Sequence, residues 1–389
     1  MRIEKIDIRS LQDAQNAIGR VGADDYSIHR MARKAYIFPL LITGIDNRAA
    51  NIIKQEILAC GGEAAVNRNV AAFKQGNSSI LILATPAQYE RLIPKLKQQP
   101  FGLPGAGVLI NAELARTASA RKSFPQVMAI LNVTPDSFSA GGFYHDPEAA
   151  VARSLEMINQ GADIIDVGGE SSRPGARTVP IEEEKHRVVP VILSLRKKTK
   201  KLISIDTCKP AVAQAALDAG ADIINDITGL RYQKGSMAAL AARANVPVVI
   251  MHMHGTPRTM QKHPHYADVV ADIYSFFEQR IAFAVARGIR REHIILDPGI
   301  GFGKTAEHNI TILRRLHEFS SFGCPLLVGA SRKSFIGSVT GVHNPADRSA
   351  GSVAAGIWAV EQGAGILRVH DVQETCAALK ITGALSLWN

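Results

Sequence analysis

From Gln126 to the C-terminus one pattern repeats: a short apolar run, a polar or glycine-bearing turn, then a helical stretch. The apolar runs are 127–133, 163–167, 202–205, 222–226, 248–251, 294–296, 326–328 and 366–369. Helical patterns fill 148–160, 181–199, 211–219, 236–243, 266–287, 309–319 and 349–362, and a last one starts near Val372. Strands joined by helices rather than hairpins are parallel, and their crossovers are right-handed. Eight such units in about 260 residues match a closed (β/α)8 barrel. An open doubly wound sheet fits the same beat, because periodicity does not report closure.

Polar groups end the runs: Asn132, Glu170, Asp206, Asn225-Asp226, His252, Asp297, Ser331-Arg332-Lys333, and Arg368 with His370. Any one of them could cap a helix or sit in a turn. Eight at equivalent positions are poorly explained by capping, and in a parallel barrel these ends converge on the face that carries active sites. Asp206, Asn225 and Asp297 can read a heterocycle bearing amino, ring N–H and carbonyl groups, and Lys333 can donate to a ring carbonyl. Arg368 and His370 lie two apart on one strand and so share a face, a site suited to phosphate or diphosphate. Ser334 stands where a helix should begin, either as a cap or as a hydroxyl for a second anion such as a carboxylate.

The stretch Asp297-Pro-Gly-Ile-Gly-Phe-Gly-Lys304 mimics two nucleotide motifs and satisfies neither. Proline occupies position 298, where a phosphate loop needs its first glycine, and Lys304 stands where a dinucleotide fingerprint needs its third. Two further glycine-bearing loops, 134–142 and 168–175, carry Asp136, Phe138, Ser172 and Arg173 and can close over a ligand. His252, His254, His263 and His265 cluster without metal-ligand spacing and read as turn and surface histidines, not a zinc site.

The segment before Gln126 reads as a small α/β unit without a catalytic constellation. A weak alternation suggests a strand over 1–8, and Ser10 caps a helix. A strand follows over 37–45, interrupted by Pro39, then a helix capped by Asp46 and closed by Gly61-Gly62. A second strand spans 79–84, and the next helix opens at Thr85-Pro86 and should kink or end at Pro94. Residues 102–107 look like the exit, which gives a first domain over 1–118, a linker over 119–125 and a barrel over 126–389. At 389 residues two domains are the natural division.

The four cysteines are scattered, favouring a reducing, cytoplasmic setting over a disulfide framework or zinc site. No apolar run is long enough to cross a bilayer, and the N-terminus lacks a signal-peptide layout. The net charge of +10 suits acidic small substrates. Without a basic stripe interleaved with aromatics, nucleic acid is not the expected partner.

Seven ordered motifs in 126–389 resemble those of the dihydropteroate synthases, a family of pterin-binding barrel enzymes. They are Leu131-Asn-Val-Thr-Pro-Asp-Ser-Phe-Ser, Asp166-Val-Gly-Gly-Glu-Ser, Ile205-Asp-Thr, Asn225-Asp-Ile, Asp297-Pro-Gly-Ile-Gly-Phe-Gly-Lys, Ser331-Arg-Lys-Ser and Arg368-Val-His-Asp. The resemblance implies condensation of 6-hydroxymethyl-7,8-dihydropterin diphosphate with 4-aminobenzoate in folate biosynthesis, inhibited by sulfonamides. It implies that Asp206, Asn225, Asp297 and Lys333 hold the pterin, with Met251 beside it and Arg332 flanking the ring. Asn132, Arg368 and His370 would hold the diphosphate, with Asn132 a ligand of Mg²⁺. Phe138, Ser172, Arg173, Pro174, Phe302 and Ser334 would surround 4-aminobenzoate. A homodimer paired through outer barrel helices is also implied.

Two departures stand out. The family's first loop commonly reads Ser-Asp-Gly-Gly where this chain has Ser139-Ala140-Gly141-Gly142, and its second reads Ser-Thr-Arg where Ser171-Ser172-Arg173 occurs here. Retained activity with a weaker hold on 4-aminobenzoate is expected. A pterin-dependent methyltransferase barrel would need neither the two loops nor the Arg368–His370 pair. A non-catalytic pterin-binding scaffold would show losses among the polar strand ends, and only Ala140 looks like one.

Overall fold

The computed structural model describes residues 1–8, 10–119, 124–134, 147–171, 178–256, 259–261 and 264–386. The chain divides into two compact units, Met1–Arg121 and Lys122–Asn389. None of its described helices is long and apolar enough to cross a membrane.

The N-terminal unit has helices α1 (Leu11–Gly19) and α2 (Asp25–Ala32), then strand β1 (Phe38–Asp46) and helix α3 (Asn47–Ala59). Strand β2 (Glu63–Val66), helix α4 (Arg68–Ala71), strand β3 (Asn77–Ala84) and helices α5 (Pro86–Leu96) and α6 (Leu103–Ser119) complete it. The three strands form an antiparallel sheet ordered β1-β3-β2. Ser10 caps α1 by accepting from the Asp13 amide, and Asp46 caps α3 by accepting from the Arg48 amide. Ile53, Ile57, Ile80, Ile82, Tyr89 and Leu92 fill the core.

Three local expectations do not hold in this unit. Residues 1–8 join no strand, and Ile3 and Ile6 stay exposed, so their alternation buries nothing. Helix α5 runs through Pro94 to Leu96, anchored on both sides of the proline by buried Leu92 and Leu96. The glycine stretch at 102–107 opens α6 rather than ending the unit. A Cβ on Gly107 would meet Leu96 Cβ and the Ile93 carbonyl at 3.6 Å, ordinary contact distances, which places α6 directly against α5. Pro39 is tolerated because β1 is an edge strand.

In the second unit β4 (Gln126–Asn132), β5 (Ile164–Gly168), β6 (Leu202–Asp206), β7 (Ile223–Asp226), β8 (Val248–Met251), β9 (Ile294–Asp297), β10 (Leu327–Val328) and β11 (Ile366–Val369) are all parallel. Their order is β10-β11-β4-β5-β6-β7-β8-β9, and a parallel bridge from Leu296 to Leu326 joins the two ends into a barrel. Helices α7 (Pro147–Asn159), α8 (Ile181–Arg196), α9 (Pro210–Asp218), α10 (Ser236–Ala244), α11 (Val269–Ala286) and α12 (Ala306–Arg314) connect the strands in turn. A short α13 (Ser334–Thr340) and then α14 (Ser349–Glu361) follow β10, and α15 (Val372–Ser386) follows β11.

Side chains alternate across each strand, and the two faces have different jobs. Val127, Ile165, Val167, Ile203, Ile205, Ile224, Ile250, Leu296 and Leu367 point outward into the layer between strands and helices. Met128, Ile164, Ile223, Val249, Ile295, Leu327 and Ile366 form a separate apolar cluster inside the barrel. Two residues further along the same inward parity lie Asp166, Asn225, Met251, Asp297 and Arg368. The barrel interior is therefore apolar at the strand starts and polar at their carboxyl ends.

Candidate active site

The polar ends meet by register. Asn132 pairs with Gly168, Gly168 with Asp206, and Asp206 with Asn225 across four consecutive strands. A Cβ on Gly168 would lie 3.5 Å from Asp206 Cβ and 3.8 Å from Asn132 Oδ1. Lacking one, Gly168 keeps space open between the amide and the carboxylate.

Arg368 is the hub. Its Nε donates to Asp166 Oδ2 at 2.6 Å and its Nη2 to Asp206 Oδ2 at 2.7 Å. Asn225 Nδ2 donates to the same Asp166 oxygen at 3.0 Å. Burial disfavours the guanidinium charge, but the Asp166 and Asp206 carboxylates outweigh it and hold the group protonated. Burial also pushes Asp206 well above the usual carboxylate range, with Arg368 opposing. Asp166 is fully buried, and its Oδ1 has no hydrogen-bond partner among the described residues.

His370 shares the inward face with Arg368. Ser331 Oγ accepts from the His370 backbone amide at 3.2 Å and lies 3.0 Å from Nδ1 of the same ring. In the tautomer in which the hydroxyl donates to Nδ1, the ring proton sits on Nε2. Burial and then the neighbouring Arg368 push His370 down to about 3, so the ring is neutral.

Asp297 Oδ1 accepts from the Gly299 amide at 2.7 Å. Burial raises its carboxyl to about 6, against that hydrogen bond and the charges of Lys333, Arg368 and Lys304. Gly299 has a φ of +69°, and a Cβ there would sit 2.0 Å from the His252 carbonyl oxygen, so only glycine fits the turn. Gly301, at φ +82°, lets Lys333 pass, since a Cβ would meet its Cδ at 2.9 Å. Lys333 Nζ lies 4.1 Å from the Phe302 ring centroid, a cation–π contact. Burial lowers Lys333 to about 8, with Arg368 adding to the shift. Phe302, Met251, Met253 and Met260 form an apolar wall backed by Ile227.

Several strand-end groups are committed elsewhere. Buried Lys209 pairs with both Glu170 and Glu184, and Thr207 Oγ1 donates to Glu184 at 2.6 Å, so Glu170 belongs to an internal ion network. Asp226 faces outward and accepts from the Thr228 and Leu230 amides, holding the turn after β7. Arg332, in a left-handed conformation at φ +58°, forks onto Asp371 through Nε and Nη2, which leaves its planar face and Nη1 outside that pair. Ser334 is exposed at the first residue of α13, with its hydroxyl unpartnered among the described residues. Phe138, Ser172, Arg173 and Pro174, like Asp136 and Ala140, lie outside the described residues.

His252 departs from the surface reading of the histidine cluster, while His254 and His265 are exposed as expected and His263 lies outside the described residues. His252 is buried, Lys304 Nζ lies 3.0 Å from its Nδ1, and its ring packs edge-on against Phe276. Lys304 is buried too and donates to the His252 and Phe302 carbonyls at 3.3 and 3.0 Å, fastening the glycine loop. Burial lowers this amine to about 7. Among the described residues no group of three or more histidines, cysteines or acids could hold a metal.

Asp166 was not among the site residues expected from sequence, although it stands at the centre of the ion pairs. Its signal was available: an acid inside the apolar run Ile164-Ile165-Asp166-Val167, with the parity of the inward face. A cavity of about 540 Å³ adjoins Asp206 and is lined by Lys209, Thr228, Arg231 and Met253 among others.

A profile of the pterin-binding enzyme family matches residues 128–370. Dihydropteroate synthase of Escherichia coli K12 is 49% identical over 270 residues, covering 69% of this chain and 95% of that protein. A probable bifunctional folylpolyglutamate synthase/dihydropteroate synthase of Haloferax volcanii is 38% identical over 96% of this chain, a match that extends into the N-terminal unit. The chain spans only 46% of that protein's length. Among solved structures, Xanthomonas albilineans dihydropteroate synthase with 4-aminobenzoic acid aligns at a TM-score of 0.65 and 47% identity, over 68% of this chain and 94% of that one. The same enzyme with 7,8-dihydropteroate aligns at 0.62 and 44%, over 69% and 97%.

Proposed function

The chain belongs to the pterin-binding enzymes, among the dihydropteroate synthases, and we propose that its barrel joins 6-hydroxymethyl-7,8-dihydropterin diphosphate to 4-aminobenzoate. The products are 7,8-dihydropteroate and diphosphate. The observation that carries this reading is the inward ring of Asp206, Asn225, Asp297 and Lys333 beside Arg368 and His370. It supplies acceptors and donors for an aminopterin edge, and cations for a diphosphate, on one barrel face.

In this reading Asn225 and the two acids fix the pterin edge while Lys333 donates to its ring carbonyl. Met251 and Phe302 bound the ring on the apolar side, and Arg332 offers its planar face. The diphosphate meets Arg368 through Nη1, which is left over after Nε and Nη2 have bound Asp166 and Asp206. The neutral His370 offers it Nε2–H. As the C–O bond to the diphosphate breaks, these donors take up the developing negative charge. The pterin methylene turns cationic at the same moment, and the Asp206 and Asp297 carboxylates lie on the side that stabilises it. The neutral amine of 4-aminobenzoate then attacks the methylene and forms the C–N bond, losing a proton to complete the product. Ser334 faces its carboxylate. Phe138, Ser172, Arg173 and Pro174 are assigned to the arylamine by the family's motifs alone. No covalent enzyme intermediate is needed.

Mg²⁺ fits this donor set. It prefers hard oxygen ligands, few of them from protein and the rest from phosphate and water. The Asn132 amide oxygen borders the space kept open by Gly168 and is the protein ligand in this assignment. Asn132 would hold the ion there, and the chemistry it would supply is positive charge beside Arg368 for the leaving group.

The barrel's outer helices α14 and α15 leave Trp358, Ile381 and Leu385 exposed, which supports a homodimer paired through that side. Free thiols at Cys60, Cys208, Cys324 and Cys376 support a reducing, cytoplasmic setting. Incubating the purified protein with both substrates and Mg²⁺ tests the activity. Dihydropteroate and diphosphate should appear in equal amounts. Saturable binding of the pterin diphosphate without any product would replace the synthase with a pterin-binding scaffold.

A further inference from the structure

None of the residues assigned above belongs to the N-terminal unit, and one of that unit's grooves has a one-sided charge. The groove holds about 850 Å³, flanked by α1, α2 and the first turns of α5. Arg30, Arg33, Lys34 and Arg91 line it together with His29, against the single carboxylate of Glu90. Some of these groups are already engaged. Arg33 pairs with Glu90, Arg91 donates to the Cys60 carbonyl at 2.6 Å, and His29 Nδ1 lies 3.1 Å from the Gln15 amide nitrogen. Arg30 and Lys34 have no ion-pair or hydrogen-bond partner among the described side chains.

A purely structural account covers only part of this cluster. His29 and Arg30 lie in the last turn of α2, where cations complement the helix dipole. Lys34 lies beyond that helix, and Arg91 comes from a different helix facing the same groove. Four cations gathered around one acid raise one another's energy unless an anion enters. The volume falls in the range of small-molecule sites rather than extended interfaces.

We propose that this groove binds a small polyanion, an oligophosphate or an oligocarboxylate, whose charged groups reach Arg30, Lys34 and Arg91. Guanidinium groups take such anions through paired N–H donors, and the lysine acts as a point charge. Binding is electrostatic and weakens as salt screens it.

The test is isothermal titration of the full-length protein with sodium tripolyphosphate and, separately, with tetra-γ-glutamate, at an ionic strength of about 0.01 M. The Arg30→Ala/Lys34→Ala protein is compared with its parent, so that anion binding by the barrel, common to both, cancels. Lys97→Ala, an exposed cation on the same unit outside the groove, is the control. The double variant should bind at least about tenfold more weakly, with Lys97→Ala and dihydropteroate formation unchanged. A response to tripolyphosphate alone assigns an oligophosphate, and a response to tetra-γ-glutamate alone an oligocarboxylate. Equal binding by parent and double variant overturns the proposal, as does saturation by neither probe. Tighter binding of single-stranded RNA than of either probe would make the groove a nucleic-acid surface and overturn it too.

Discussion

Asp166→Asn isolates the group on which Arg368 and Asn225 both depend. The wild-type carboxylate is fully buried and accepts from Arg368 Nε at 2.6 Å and Asn225 Nδ2 at 3.0 Å through one oxygen. An amide of the same shape removes the charge. If its oxygen takes the Oδ2 place, the two hydrogen bonds survive in weakened form; if its NH2 does, donor faces donor. Either way Arg368 retains one carboxylate partner, Asp206. Breaking a buried ion pair from one side typically costs about 3–5 kcal/mol, because the remaining charge stays buried. At about 2 °C per kcal/mol for a domain of this size, Tm should fall by roughly 6–10 °C. Scanning fluorimetry reads the fall, and a cycle with Arg368→Met separates pairing from bulk. In the Met background Asp166→Asn should cost less, with a coupling of at least about 1 kcal/mol. A Tm within about 2 °C of the parent, or effects that simply add, would refute the view that Asp166 anchors the guanidinium.

Further outcomes follow from other contacts. Lys333 titrates near 8 in the folded protein and its charged form is the stronger donor to a ring carbonyl, so kcat/KM should decline above pH 8. In Lys333→Arg that decline should vanish up to about pH 10, since a guanidinium stays charged; an unmoved alkaline limb would exclude Lys333 as its source. Gly299→Ala should lower stability by at least about 3 kcal/mol, because a Cβ 2.0 Å from the His252 carbonyl compounds the strain of φ +69°. Urea melts check it, and a midpoint equal to the parent's would mean the loop re-forms freely. Ser172→Thr combined with Ala140→Asp should lower the KM for 4-aminobenzoate, and an unchanged KM would detach these loop departures from arylamine binding.

Much of the barrel can be read from the sequence because period and position carry it. The eight runs become the eight strands, with ends shifted by a residue or two, and the inward parity of Asn225, Asp297 and Arg368 follows from counting along them. Closure is different. It depends on Leu296 meeting Leu326, a contact between strand ends that no local pattern encodes. Residue commitment is also non-local. Glu170, Asp226 and Arg332 look like free polar ends until Lys209, the 228–230 turn and Asp371 are found beside them. His252 reads as a loop histidine because the partner that buries it, Lys304, lies 52 residues away. In the N-terminal unit α2 and β2 escape notice, being short and carrying few apolar residues in register. Pro94 misleads because packing at Leu92 and Leu96 overrides a local breaker.

In the proposed reaction the polar ring at the strand ends binds pterin diphosphate, expels the diphosphate and passes the pterin methylene to an incoming arylamine. The most direct measurement follows diphosphate release from the pterin substrate and Mg²⁺, with and without 4-aminobenzoate, in the parent, Asn225→Ala and Arg368→Ala proteins. Release coupled to dihydropteroate formation in the parent, and lost in both variants, is the predicted result. Parent-like turnover in either variant would contradict it.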